Sequence, residues 1–310
     1  MWRFLYTILF VMMLSGCSIT IDPQTVNQND TSSEDNQQQS TQQPEQQHSE
    51  ETIEETESEG LMDLLSDVFN IDWTSGKDTD AQDIYYLALG DSLTRGVGDE
   101  QKNYGYTIRL QEQLEQWPMI KSVELDNRGK NGRRSDQLLA LLQKGHYDEE
   151  LEKADVITMT LGGNDAMKIV KKHLFSLNKQ MFNEELPQFI TRYEEILHEI
   201  RLRNADVPIV VIGFYNPFSI IVDEVTPFEP IISEWNAEIE SLANKDVNAC
   251  FVPIDDLFTS NEDMVYHVDF FHPNATGYDR MTKRIIEAMQ SCNIEQMSDG
   301  LIGIEEWKDE

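Results

Sequence analysis

The chain has 310 residues, of which 39% are hydrophobic, enough for one large domain or two small ones around a sizeable core. Its formal net charge is −33, from 57 Asp and Glu against 24 Lys and Arg. A surface this acidic repels phosphate backbones, which argues against nucleic-acid binding and disfavours adsorption to a bare anionic membrane; solubility is sufficient reason for the acid itself.

The first segment reads MWRFLYTILFVMMLSGCSIT. Arg3 supplies a short positive region, and Phe4 to Leu14 is an apolar run of secretory length, too short to span a bilayer comfortably. It ends in Leu14-Ser15-Gly16-Cys17. This resembles a bacterial lipoprotein signal with its lipobox. The resemblance implies that residues 1–16 are a signal peptide and that Cys17 carries a diacylglyceryl group on its sulfur. The protein would then sit on the extracytoplasmic face of the cell membrane. An ordinary cleaved signal with an incidental Cys17 is the other reading.

Residues 17–80 follow as an acidic, Gln- and Ser-rich tether. Between 18 and 60 there is too little apolar surface to offset ordering entropy, so disorder is expected, with a reach on the order of 35 Å. The run LMDLLSDVFNIDW then puts Leu61, Leu64, Leu65 and Val68 on one face of a short helix, with Asp63 and Asp67 opposite. Packing on the following domain is the expectation for this segment; contact with a membrane or partner is the alternative.

From 81 to 310 the pattern becomes that of a globular domain. Apolar, strand-like runs occur at Ile84–Leu89, Val123–Leu125, Val156–Leu161, Ile209–Ile212 and Phe251–Ile254. Helical stripes lie between them. Tyr106, Leu110, Leu114 and Trp117 form one, Leu186 through Ile200 a longer one, and Tyr278, Met281, Ile285 and Met289 the last. Strands alternating with helices predict an α/β fold, a flavodoxin-like three-layer α/β/α sandwich on a parallel sheet of about five strands.

Open parallel sheets bind ligands beyond the carboxyl ends of their strands. After the first strand comes Gly90-Asp91-Ser92, after the second Gly129 and Gly132, after the third Gly162-Gly163-Asn164, and late in the chain Asp269 three residues before His272. Each has a structural reading: Asp91 and Ser92 as turn or cap residues, Gly132 as a tight turn, Asn164 as a helix cap, His272 as packing before Pro273. Together they supply what acyl transfer needs. A serine hydroxyl needs a base, and an imidazole titrates near neutrality. A carboxylate on the same turn fixes the tautomer. Backbone N–H groups at Ser92 and Gly132 and the Asn164 amide offer donors to an oxyanion.

GDSL, a glycine block, GGND and DFFHP, in that order, resemble the SGNH hydrolases, or GDSL lipases and esterases, over about residues 84–290. The resemblance implies Ser92 as nucleophile, Asp269 and His272 as the rest of a triad, and Ser92, Gly132 and Asn164 as the oxyanion hole. It implies no metal and no cofactor, and neither HExxH nor G-x-S-x-G around Ser92 is present. The expected activity is hydrolysis of carboxylic esters through an acyl-enzyme. Small-to-medium acyl esters come first among substrates, with lysophospholipids and acetylated sugars also in view, and a monomer is expected. The competing reading is a non-catalytic lipoprotein that uses the fold to bind a glycan or a protein. Phe175, Phe182, Phe218 and Phe228 are candidates for the substrate pocket, with core packing equally open to each. In an oxidising compartment Cys250 and Cys292 could pair, but nothing in the sequence brings them together, and two free, partly buried thiols are expected.

Overall fold

Among the described residues, five β-rich runs pair as five parallel strands: β1 (Gln82–Gly90), β2 (Ile120–Gly129), β3 (Val156–Thr160), β4 (Ile209–Ile212) and β5 (Ala249–Val252). Their order across the sheet is β2-β1-β3-β4-β5, so the chain reverses direction of travel at β1. The computed structural model describes residues 81–173, 175–219, 228–259 and 265–303. The expected signal peptide, Cys17, the tether and its 61–73 segment lie outside the described residues.

All residues of β3 are buried, as expected of an interior parallel strand covered on both faces. Alternation along β1 sends Ile84, Tyr86 and Ala88 to one face. There they pack with Tyr106, Leu110 and Leu114 of α2 (Tyr106–Leu114) and with Tyr278, Met281, Ile285 and Met289 of the C-terminal helix Ala275–Ser291. The remaining helices, in chain order, are α1 (Ser92–Arg95), which precedes α2, then α3 (Ser135–Leu142), α4 (Asp148–Lys153), α5 (Gly163–Lys172), α6 (Lys179–Arg203) and α7 (Glu229–Ala243). The Ala275–Ser291 helix is α8, and α9 (Ile294–Met297) follows it. Phe189 of α6 stacks on Trp235 of α7 at 4.6 Å between ring centroids, with Tyr193 against its edge. Each such fully buried side chain contributes about 1.5–3 kcal/mol of hydrophobic free energy. This is the predicted three-layer α/β/α arrangement.

Three boundaries differ from the pattern reading. β2 runs on to Gly129 because Asp126, Asn127 and Arg128 keep pairing with Leu87, Ala88 and Leu89; as an edge strand it tolerates polar side chains. β5 ends at Val252, before Pro253, which has no N–H for the ladder. Trp117 falls beyond the end of α2 yet still packs on the same core. Between β3 and β4 the chain forms two helices in succession, α5 and α6.

The cysteine expectation is corrected. Cys250 on β5 and Cys292 just after α8 form a disulfide, with Cα atoms 5.9 Å apart. They are 42 positions apart in sequence. Only the return of α8 across the sheet brings them together, and no local pattern encodes that.

Candidate active site

The carboxyl end of β1 turns sharply into α1. Gly90 has φ 149°, and a Cβ there would lie 2.4–2.7 Å from Thr94 Oγ1, Thr160 Oγ1 and the Thr160 carbonyl. Only glycine fits. Asp91, not Ser92, caps α1: its Oδ1 accepts the Leu93 N–H at 3.0 Å and the Thr160 hydroxyl at 2.9 Å. Ser92 is the first residue of the helix and is 8% exposed. Burial pushes the Asp91 carboxyl up to about 6, against the opposing pull of the Leu93 N–H, the Thr160 hydroxyl and the His272 charge.

Asp269 and His272 come from the turn that leads into α8. Asp269 Oδ1 accepts the backbone N–H groups of Phe271 and His272 at 2.9 and 3.0 Å. Its Oδ2 lies 2.7 Å from His272 Nδ1, and His272 Nε2 lies 3.0 Å from Ser92 Oγ. Burial alone would raise the Asp269 carboxyl. The hydrogen bonds from the His272 ring and backbone, the imidazole charge and the Phe271 N–H outweigh it, and the group sits well below the usual carboxylate range. An ionised acceptor at Nδ1 leaves Nε2 free to take a proton from Ser92. The Tyr215 hydroxyl donates to the Phe271 carbonyl at 2.6 Å and ties this turn to the segment after β4.

Asn164 is the second residue of α5. It is not the cap; Gly162 occupies that position. Its Nδ2 donates to Asp91 Oδ2 at 3.4 Å, and it lines the same cleft as Ser92 and His272. Gly132 is exposed, in a left-handed turn (φ 74°) after β2, with open space where a Cβ would lie. The Lys130 N–H donates to the Gly90 carbonyl at 3.1 Å, which fastens this turn to the strand that delivers Ser92. The structure therefore joins Ser92, His272 and Asp269 by hydrogen bonds, puts Asn164 in their cleft and Gly132 on the adjoining turn.

Several participants were not anticipated. Asp165, 3% exposed, accepts the Ser135 N–H at 3.0 Å and the Ser135 hydroxyl at 2.5 Å, so the start of α3, three residues past Gly132, is tied to the helix carrying Asn164. Arg192 of α6 donates to Ser135 Oγ at 2.8 Å and closes the group. Adjacency to Asn164 in GGND was the only signal for Asp165. Under the Ser92 turn a chain of hydroxyls, Thr160–Thr94–Tyr106–Thr158, runs at 2.7–3.1 Å per link and satisfies the polar atoms of an otherwise apolar strand.

On the β3–β4 side the cleft opens into an apolar pocket lined by Met167, Val170, Phe182, Phe218, Phe228 and Ile232. Three of the four candidate phenylalanines lie there. The fourth, Phe175, is 81% exposed. No group of three or more His, Cys, Asp or Glu placed to hold a metal ion occurs among the described residues.

Residues 88–280 match the model of the GDSL-like Lipase/Acylhydrolase family, a span that contains every one of the cleft residues named above. YpmR of Bacillus subtilis is 34% identical over 209 residues, 67% of this chain and 82% of that protein. The spore germination lipase LipC of Bacillus licheniformis is 28% identical over 209 residues, 65% of this chain and 94% of that protein. Among solved structures, the lipase Lip_vut3 from a goat rumen metagenome aligns with a TM-score of 0.59 at 26% identity, covering 66% of this chain and 97% of that one.

Proposed function

The chain belongs to the GDSL-like lipase/acylhydrolase family, and from that premise we propose that it is a serine esterase, tethered outside the cell membrane through Cys17, that cleaves small-to-medium acyl esters by way of an acyl-enzyme. The observation that carries the reading is the continuous relay from Ser92 Oγ to His272 Nε2 at 3.0 Å and from His272 Nδ1 to Asp269 Oδ2 at 2.7 Å. Ser92 Oγ attacks the ester carbonyl while its proton passes to Nε2, and Asp269 steadies the imidazolium. The negative charge on the carbonyl oxygen is met by the N–H groups of Ser92 and Gly132 and the Asn164 amide. Collapse breaks the acyl–oxygen bond, and the alcohol leaves with the proton from His272. Water then repeats the sequence on the acyl-serine and returns free carboxylic acid.

The apolar pocket suits the acyl group, and its opening directly at Ser92 favours an ester with a hydrocarbon acyl part. The extracytoplasmic placement draws on the Leu-Ser-Gly-Cys17 motif and on the Cys250–Cys292 disulfide, since such bonds persist in oxidising compartments. A serine-directed fluorophosphonate should label the wild type and not Ser92→Ala, and Ser92→Ala should lose turnover of a short p-nitrophenyl ester. Retained turnover would overturn the nucleophile assignment. Cys17→Ala should lose incorporation of a fatty-acid analogue in cells; persistent label would remove the tether.

A further inference from the structure

The strand order puts two different surfaces on opposite sides of Ser92. β3 and β4, with the apolar pocket beyond their ends, lie on one side of β1, and β2 lies on the other. Beyond the end of β2 is a shallow groove lined by Lys130, Asn131, Gly132, Arg133, Gln137 and Lys144. No described Asp or Glu lines it, in a chain with 57 acidic residues. Lys130 and Lys144 are exposed and have no ion-pair partner among the described residues. Asp136, the nearest acid in sequence, is engaged by Arg134 at 3.0 Å.

The floor of the groove is also cationic. Arg133 is 5% exposed, and its guanidinium donates to the Arg128 carbonyl at 2.6 Å, the Gly90 carbonyl at 3.4 Å and the Tyr147 hydroxyl at 3.2 Å. None of these partners is a carboxylate, and the guanidinium also lies over the Tyr147 ring at 6.0 Å from its centroid, so no ion pair among the described residues offsets the Arg133 charge beneath the Gly132 turn. Burying an unpaired charge is costly, and a site that gains an anion recovers part of that cost. The chain's overall acidity does not oppose this. Charges more than about 8 Å away are largely screened at physiological salt, so the nearest cations set the local potential.

We propose that this groove is a subsite for a phosphate group carried on the alcohol part of the ester, while the acyl part occupies the apolar pocket. The proposal rests on the esterase reading above and adds to it the chemical class of the leaving group. A phosphate on a glycerol-like alcohol occurs in a lysophospholipid headgroup and in a phosphate-bearing polymer; the recognition chemistry is the same, and the acyl chain tells the sources apart.

The test compares monoacylglycerol with the same acyl group on glycerol 3-phosphate, in an acetyl arm and a decanoyl arm. At low salt, wild-type kcat/KM should favour the phosphate-bearing ester by about tenfold, the scale of two exposed cations near one anion. The Lys130→Gln/Lys144→Gln protein should bring that ratio close to one while hydrolysing the neutral ester at the wild-type rate, and added salt should do the same. A preference for the phosphate ester confined to the decanoyl arm indicates a lipid, and one confined to the acetyl arm a polymer acetate; either supports the subsite. A wild-type ratio of one, or a ratio unchanged by the double variant, overturns it. A calorimetric titration with glycerol 3-phosphate is the independent readout. If no ester is turned over, the esterase reading fails and the titration alone decides the subsite: lysine-dependent binding keeps it, and lysine-independent or absent binding removes it.

Discussion

Substituting Asn164 separates catalytic from structural roles cleanly, because the structure has removed the usual structural one. Gly162, not Asn164, caps α5, so Asn164→Ala forfeits no cap bond. Among the described residues it forfeits one hydrogen bond, to Asp91 Oδ2 at 3.4 Å. A contact of that length contributes less than about 1 kcal/mol, so the melting temperature should move by only a few degrees. As a donor to the oxyanion, the same amide meets charge that exists only in the transition state. Its loss should lower kcat by about 10²–10³, or about 2.7–4 kcal/mol, with KM changed little. Asn164→Asp adds a second term. Two ionised carboxylates 3.4 Å apart repel by about 5 kcal/mol at an effective dielectric of 20. Asp91 is already pushed up to about 6 by burial, so one proton is retained by the pair near neutrality. The aspartate variant should therefore be at least as slow as the alanine variant, and its kcat should fall further as pH rises and that proton is lost. Steady-state rates on a p-nitrophenyl ester from pH 6 to 9, with a thermal melt of each variant, provide the comparison. An alanine variant that melts early and keeps kcat within a few fold of wild type would refute the reasoning.

Two further outcomes follow from buried groups. Closing 42 residues of chain with the Cys250–Cys292 bond restricts the unfolded state by about 4 kcal/mol in the chain-entropy treatment, so Cys292→Ser should lower the melting temperature by on the order of 10 °C; an unchanged melt would mean that the bond adds nothing. Asp91 rises from 3.8 to about 6 on folding, so the folded state holds the extra proton between those values. Its cost is absent below about pH 4 and complete above about pH 6, which makes wild type gain roughly 3 kcal/mol relative to Asp91→Asn as pH is lowered across that window. Asp269 acts in the opposite sense, since its lowered carboxyl stabilises above its ordinary range and that contribution is lost in acid; it is common to both proteins and cancels in the comparison. Parallel stability curves for the two proteins would disprove the Asp91 assignment.

The sequence by itself determined the layered α/β architecture and the sheet edge along which the candidate residues lie. Strand and helix periods are local, and the carboxyl ends of parallel strands necessarily share one edge, so the turns carrying Ser92, Gly132 and Asn164 were predictable at one edge of the sheet. His272 and Asp269 were legible for a similar reason: three residues in one turn suffice to bring a carboxylate to an imidazole. Contacts made across long stretches of chain were not legible. The same dipeptide Asp91-Ser92 admits either residue as the cap, and only packing of Thr160 and Leu93 around Asp91 gives it that role and releases Ser92 toward His272. Phe175 and Phe182 look alike in sequence, yet one, between two helices, is exposed, and the other, on α6, is buried and lines the pocket. Cys250 and Cys292 meet only because α8 folds back over β5, and Arg133 becomes a buried cation only because the β2 turn closes on the Gly90 carbonyl. Backbone periodicity is set by neighbours along the chain. Which side chains face each other across a sheet edge is set by how whole elements pack, and that depends on the sum of many contacts no short window of sequence contains.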